Sequence, residues 1–337
     1  MGEGGTPRAV IFGCQGPVLD DPERRFFRHA DPLGFILFAR NCRDADQVRG
    51  LVADLRDCLG REDAPVLIDQ EGGRVVRLGP PHWRRPPAPQ NLAQLAGAFE
   101  AGESVRLNAR LIAADLHDLG ITVNCLPVLD VLAPGAYIAE RSFGGEPDRV
   151  ARLGRAAAEG LLSGGVLPVV KHLPGMGRAR TDSHFGLPLV DAPMEELERM
   201  DFAPFRALNY MPWGMTAHVV YRAVDEDAPA TTSAAVIGGV IRGSIGFDGL
   251  LLSDDLSMEA LSGDLGERAA AALRAGCDVA LHCNGVRAEM EAVAGVSGPL
   301  SAAAMARLAR GEDLRGHPEP FDKAQAQAQL DSLIGSL

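Results

Sequence analysis

The sequence predicts an α/β fold, a closed (β/α)8 barrel of the TIM type, on three observations. Eight short apolar runs alternate with longer amphipathic stretches from end to end. Most of the runs are continuously apolar, as expected of parallel strands buried on both faces. Polar, chemistry-bearing residues collect where the runs end, and in such a barrel the strand C-termini share one face. Strict alternation of strand and helix favours closure over an open doubly wound sheet, although periodicity by itself is compatible with either. The first strands need not be regular.

The expected strands are Ala9–Gly13, Gly34–Phe38, Val66–Asp69, Thr122–Cys125, Pro168–Lys171, Gly214–Ala217, Leu250–Asp254 and Asp278–Leu281. Between the second and third, Val48, Leu51, Val52, Leu55 and Leu59 recur at helical spacing. Asp44 with Gln47 supplies a capping start and Gly60 a stop. Val105, Ala109, Ile112 and Leu116 form a like stripe before the fourth strand. A further helix should start near Pro147 and end at Gly164-Gly165, and Pro204 should split the segment before the sixth strand into two shorter helices. The Pro-rich piece from His82 to Pro87 reads as a surface loop. No fixed-period repeat, low-complexity linker or charge block marks a boundary, so residues 1–337 are expected to form one catalytic barrel domain.

Composition narrows the class of partner. Apolar residues make up 46% of the chain and aromatics only 5%, which suits a core of Val, Leu, Ile and Ala. A formal charge of -12 argues against a nucleic-acid partner, whose phosphates select basic faces. Cys14, Cys42, Cys58, Cys125, Cys277 and Cys283 contain no CxxC pair and are expected to be buried free thiols, as in a reducing compartment. The N-terminus lacks a basic segment followed by a long apolar one. No apolar stretch approaches the roughly 18 residues that span a bilayer. The expectation is a cytoplasmic protein with no membrane partner.

The residues at the strand ends are Asp69 (third), Lys171-His172 (fifth), Thr216 and His218 (sixth) and Asp254-Asp255 (seventh). The segment from Lys171 to Gly177, followed by Asp182-Ser183-His184, carries the most specific chemistry. Its Pro and Gly residues mark a loop. A Lys and a His at a strand end can bind the hydroxyls of a polar substrate. A His two residues after an Asp on a Gly-rich loop can become a tuned proton carrier. Asp254 and Asp255 fall on opposite sides of the strand pleat, and the sequence leaves open which of them faces a substrate.

The whole pattern resembles the β-N-acetylhexosaminidases of glycoside hydrolase family 3. It comprises Asp69-Gln70-Glu71-Gly72-Gly73-Arg74-Val75-Val76-Arg77, Pro127-Val128-Leu129-Asp130, Glu140-Arg141-Ser142-Phe143-Gly144, the Lys171 to His184 loop, Met215-Thr216-Ala217-His218 and Ser253-Asp254-Asp255-Leu256-Ser257-Met258. The resemblance implies a bacterial peptidoglycan-recycling enzyme that removes N-acetylglucosamine from muropeptides bearing 1,6-anhydro-N-acetylmuramic acid. It implies Asp254 as nucleophile, His184 as acid/base oriented by Asp182, and Asp69, Arg77, Arg141, Lys171 and His172 as sugar-binding groups. No metal or organic cofactor is implied. The sequence departs from the family pattern at Met176, where histidine is common, and at Glu140, where aspartate is usual. Neither position carries assigned chemistry, and both are read as tuning.

Three rival readings are weaker. A β-glucosidase or β-xylosidase of the same broad family usually draws its acid/base from a second domain, and the Asp-Ser-His loop argues against it. In a metal-dependent barrel hydrolase, Lys171, His172, His218 and Asp254 could imitate the ligand set, but such sites usually add a His-x-His pair after the first strand, where Gly13-Cys14-Gln15-Gly16 stands. A non-catalytic sugar-binding protein would be expected to have lost Asp254 or His184. Oligomeric state is not legible.

Overall fold

The computed structural model describes residues 5–95, 97–183 and 186–335. Eight strands close into a barrel: β1 (Arg8–Gly13), β2 (Pro32–Leu37), β3 (Val66–Ile68), β4 (Val123–Asn124), β5 (Leu167–Leu173), β6 (Trp213–Thr216), β7 (Leu250–Asp255) and β8 (Val279–His282). Every neighbouring pair is parallel, and β8 returns to β1. All eight expected strands are present, with ends shifted by up to two residues. The irregularity allowed for the first strands is confined to a register shift between Arg8 and Ile11. The shortest strands are instead β3 and β4, with three and two residues.

The helices follow from local chemistry. Asp20 caps α1 (Asp21–Ala30) by accepting from the Glu23 amide. Asp44 does the same for α2 (Ala45–Leu59) through the Gln47 amide, and Gly60 ends that helix in the left-handed region at φ 63°. α3 (Ala98–Asp118) buries Val105, Ala109, Ile112 and Leu116, the stripe read from the sequence. α4 (Pro147–Ser163) starts on its proline and stops at Gly164. Between β5 and β6 the chain forms two short helices, α5 (Met194–Arg199) and α6 (Ala203–Ala207), with Pro204 in the first turn of the second. The segment Ala235–Ser244, wound at the wider π spacing, fills the place before β7. α7 (Leu265–Ala275) and α8 (Arg287–Val296) complete the ring, and two C-terminal helices follow. Trp83, in the Pro-rich loop, is half-buried against the core, while His82 and Arg85 are exposed.

Two hydrophobic layers hold the barrel together, and the strand pleat sorts residues between them. Ile11, Ile36, Leu67, Val123, Val169, Met215, Leu252 and Leu281, one from each strand, pack inside the barrel. Val10, Phe35, Val66, Val170, Leu251 and Ala280 point outward and meet the helices. The six cysteines are free thiols; five are buried, and Cys42 is only half-buried, short of the full burial expected. No described helix is long and apolar enough to cross a membrane.

The α2 cap gives a direct test of this reading. Asp44→Ala should cost about 1 kcal/mol of unfolding free energy, measured by urea denaturation, because the Gln47 amide loses its acceptor. A change within a few tenths would show that the cap contributes nothing.

Candidate active site

The interior parity of three strands determines what stands at the mouth of the barrel. Leu67, Val169 and Leu252 point inward, so Asp69, just past the end of β3, and Lys171 and Asp254, in β5 and β7, each two residues further along the chain, lie above them on the same side. These three line one pocket with Arg77, Arg141 and His172, in a space of about 670 Å³ counting its open mouth. Six of the eight residues expected at the site therefore come together. His184 lies outside the described residues. Tyr137, which lines the pocket, has its phenol pKa raised chiefly by burial, and Asp182 stands near enough to add to that shift.

A buried charge cluster forms the floor. Lys171, only 2% exposed, places Nζ 2.8 Å from Asp69 Oδ1 and 2.7 Å from Glu71 Oε1. Arg141 grips Glu71 in a two-pronged contact, Nε and one terminal nitrogen each donating at 2.9 Å. Arg77 reaches the other oxygen of Asp69 at 3.3 Å and stacks over the Phe38 ring. Burial alone would raise both carboxyl pKa values and lower that of Lys171. The paired charges overcome it: Arg141 and Lys171 hold Glu71 at about 2. Lys171 and Arg77 keep Asp69 well below the usual carboxylate range. Asp69 and Glu71 push Lys171 up. Asp69, Glu71 and Lys171 therefore remain ionised across the physiological range.

His172 is set by a second buried carboxylate. Asp130 is fully buried, and its Oδ2 lies 2.7 Å from His172 Nδ1. With the Nδ1 proton donated there, Nε2 turns toward Arg141, 3.3 Å away. The other Asp130 oxygen accepts from the Met176 amide at 2.7 Å and the His172 amide at 3.3 Å, so one side chain anchors the strand end and the loop after it. The Pro174–Gly177 turn needs its glycines. Gly175 sits at φ 130°, and a Cβ on Gly177 would fall 1.9 Å from the Val131 carbonyl oxygen. Met176 is buried and presents its side chain to the pocket beside Met215, Met258 and Tyr137. Glu140 faces Arg74 at 4.0 Å and does not line the pocket.

The structure separates the two aspartates left open by the sequence. Asp255 accepts from the Ser257 amide and hydroxyl at 3.0 and 2.6 Å and from the Cys283 amide at 3.2 Å. Among the described residues, the Asp254 carboxylate accepts only the neighbouring Asp255 amide. It is the less committed of the two and lines the same space as the N–H donors Lys171, Arg77 and Arg141. His218 is buried between Thr231 and the Asp255 carbonyl, with Nε2 2.9 Å from that oxygen, and burial lowers its pKa. Both its ring nitrogens are occupied by structural hydrogen bonds. Among the described residues no cluster of three or more His, Cys, Asp or Glu is placed to hold a metal ion.

Glu71 and Asp130 received no role in the sequence reading. The available signal was position for Asp130, which sits within the apolar run Val128 to Leu132, where a charge persists only if it is paired; Glu71, between Gln70 and Gly72, carried no such mark. The resulting site can bind several hydroxyls through fixed donors and acceptors, beside a carboxylate, Asp254, that accepts only one backbone amide among the described residues.

Comparisons with known proteins agree with one another. Residues 22–310 match the glycosyl hydrolase family 3 N-terminal domain. The chain is 37% identical over 300 residues to a β-hexosaminidase of Tolumonas auensis, covering 86% of this chain and 87% of that one. It superposes with TM-score 0.86 on NagZ of Neisseria gonorrhoeae in complex with N-trifluoroacetyl-D-glucosamine, at 32% identity and 98% coverage of both chains. A family 3 β-N-acetylglucosaminidase from Paenibacillus gives TM-score 0.84 at 32% identity; 96% of this chain aligns and spans 66% of that longer protein.

The charge cluster predicts how stability responds to acid. The folded pKa of Glu71, about 2, lies below its ordinary value of 4.5. Its contribution is therefore complete above about pH 4.5 and is lost as the pH falls toward 2. Glu71→Gln should cost on the order of 3–5 kcal/mol at neutral pH, because Arg141 and Lys171 lose a buried partner. In unfolding measurements the variant should lose less additional stability than the wild type between pH 4.5 and pH 3. Equal losses would remove Glu71 from the account.

Proposed function

This chain belongs to glycoside hydrolase family 3, and we propose that it is a retaining β-N-acetylglucosaminidase releasing terminal β-linked N-acetylglucosamine from 1,6-anhydro-muropeptides in peptidoglycan recycling. The observation that carries this reading is Asp254, the least committed carboxylate of a pocket otherwise built from fixed hydroxyl-binding groups. Support also comes from the curated relatives, which are named β-hexosaminidases, and from the NagZ superposition with a glucosamine derivative.

In this mechanism Asp69 accepts sugar hydroxyl protons, and Lys171, Arg77, Arg141 and His172 complete the hydrogen-bond set. The buried pairs hold these groups in place before the sugar arrives, so little reorganisation accompanies binding. Asp254 attacks the anomeric carbon and forms a glycosyl ester. Water then attacks the same carbon from the opposite side, and two inversions give net retention. Most retaining glycosidases use a second carboxyl group as acid/base; here that role goes to His184, held by Asp182, an assignment that rests on the family resemblance. The imidazolium protonates the departing oxygen, and the neutral ring then deprotonates water. Side chains fill every role, so the reaction needs no metal or organic cofactor. Residues 1–337 act as one catalytic domain in the cytoplasm, with a carbohydrate substrate and no nucleic-acid or membrane partner.

Three measurements test this. An aryl N-acetyl-β-glucosaminide should be cleaved far faster than the matching β-glucoside, with a β-configured first product; an α-configured product would overturn the retaining mechanism. With a dinitrophenyl glycoside, which departs without a proton, His184→Ala should form the ester readily but hydrolyse it slowly, giving a burst of phenolate. Azide, which needs no deprotonation, should restore turnover and yield the β-glycosyl azide. Asp254→Ala should show no burst. A burst in Asp254→Ala, or azide rescue there with an α-configured product and none in His184→Ala, would reassign the respective role.

A further inference from the structure

The loops after β2 and β3 enclose a second space that the sugar pocket does not use. It is an open groove of about 790 Å³ that lies beside the pocket, with Arg77 lining both. Arg43, Arg77, His82 and Arg85 line it, and no Asp or Glu does. In a chain of net charge -12, an acid-free groove with three arginines is a local reversal of sign.

These arginines differ from their neighbours in how they are satisfied. Arg40 donates to the Cys14 and Cys283 carbonyls, and Arg84 is tied to Asn108 and Asp115. The exposed side chains of Arg43 and Arg85, by contrast, have no hydrogen-bond or ion-pair partner among the described residues. Arg77 gives one terminal nitrogen to Asp69, but its buried Nε has no partner. Trp83, half-buried with His82 edge-on to it, supplies an apolar wall between the charges. Unpaired guanidinium groups beside an indole face suit a ligand with carboxylates spaced along an apolar or amide backbone.

We propose that this groove is the aglycone subsite, and that it binds the free carboxylates of an acidic peptide carried by the leaving group. The inference rests on the muropeptide reading above, since such a substrate carries its peptide on the sugar that departs. Arg77 lines both spaces and is tied to Asp69 on the sugar side, so the ligand-facing charge of the groove comes from Arg43 and Arg85. A neutral aryl leaving group reaches none of Arg43, His82 or Arg85, so the groove sets selectivity among natural substrates and leaves the chemistry at Asp254 unchanged.

The test compares N-acetylglucosaminyl-1,6-anhydro-N-acetylmuramoyl-L-alanyl-D-glutamate with its fully amidated form, using the wild type and the Arg43→Ala/Arg85→Ala double variant. Both arginines are exposed, so the variant should fold, and its turnover of an aryl N-acetyl-β-glucosaminide should match the wild type. The wild type should prefer the acid by about tenfold in kcat/KM, expressed in KM and reduced at 0.5 M salt, as two screened surface ion pairs would give. The double variant should show no preference. Equal rates on acid and amide in the wild type, or an unchanged preference in the variant, would overturn the proposal. If neither disaccharide is cleaved while the aryl glycoside is, the muropeptide reading falls instead. The same pair is then compared as inhibitors of aryl glycoside hydrolysis: an acid preference abolished in the double variant supports an anion subsite, and equal inhibition refutes it.

Discussion

A lysine buried at the centre of a barrel mouth can stay charged only if the fold surrounds it with anions, and this constraint organises the catalytic face. Lys171 meets two carboxylates, Asp69 and Glu71, which come from the end of β3 and the turn after it. Glu71 would itself be an uncompensated buried charge without Arg141, which arrives from the segment after β4. Removing one member leaves the others desolvated and unpaired, a cost of several kcal/mol. The cluster therefore links three separate stretches of chain in one arrangement, and the geometry of the pocket floor is a consequence of that linkage.

Asp130 extends the same logic to the loop. Its carboxylate is shared between the His172 ring, the His172 amide and the Met176 amide. Strand β5 and the Pro174–Gly177 turn are thus positioned by a residue that does not itself line the pocket. Tyr221 adds a hydrogen bond to the Gly175 carbonyl from the far side. Met176 fits this frame because the contact Asp130 makes is to its backbone. The side chain at that position is free to vary, and here it contributes an apolar wall.

Much of this was legible in the sequence, for local reasons. Eight apolar runs, the Asp44 and Gly60 caps, the Gly164 stop and the Pro204 break all act through neighbours within a few residues, so each was readable without the fold. The clustering of polar residues at strand ends pointed to the right face, because parallel strands of a barrel all end on one side. The motifs located Asp69, Arg77, Arg141, Lys171, His172 and Asp254, which share one pocket.

What the sequence could not decide was orientation and pairing. Strands buried on both faces carry no alternation, so nothing in Leu250–Asp255 reveals which side is the barrel interior, or that Asp254 rather than Asp255 is left uncommitted. Only the closed sheet, with Leu252 inside and Leu251 outside, determines it. Glu71 and Asp130 escaped notice for the same reason: their partners, Arg141 and His172, lie 70 and 42 residues away. The sequence by itself determined the elements and the kinds of chemistry available, because those depend on short-range periodicity and residue type. The tertiary structure alone decided which charges neutralise one another and which of the two adjacent aspartates has fewer partners among the described residues, because burial and pairing are properties of distant segments brought together.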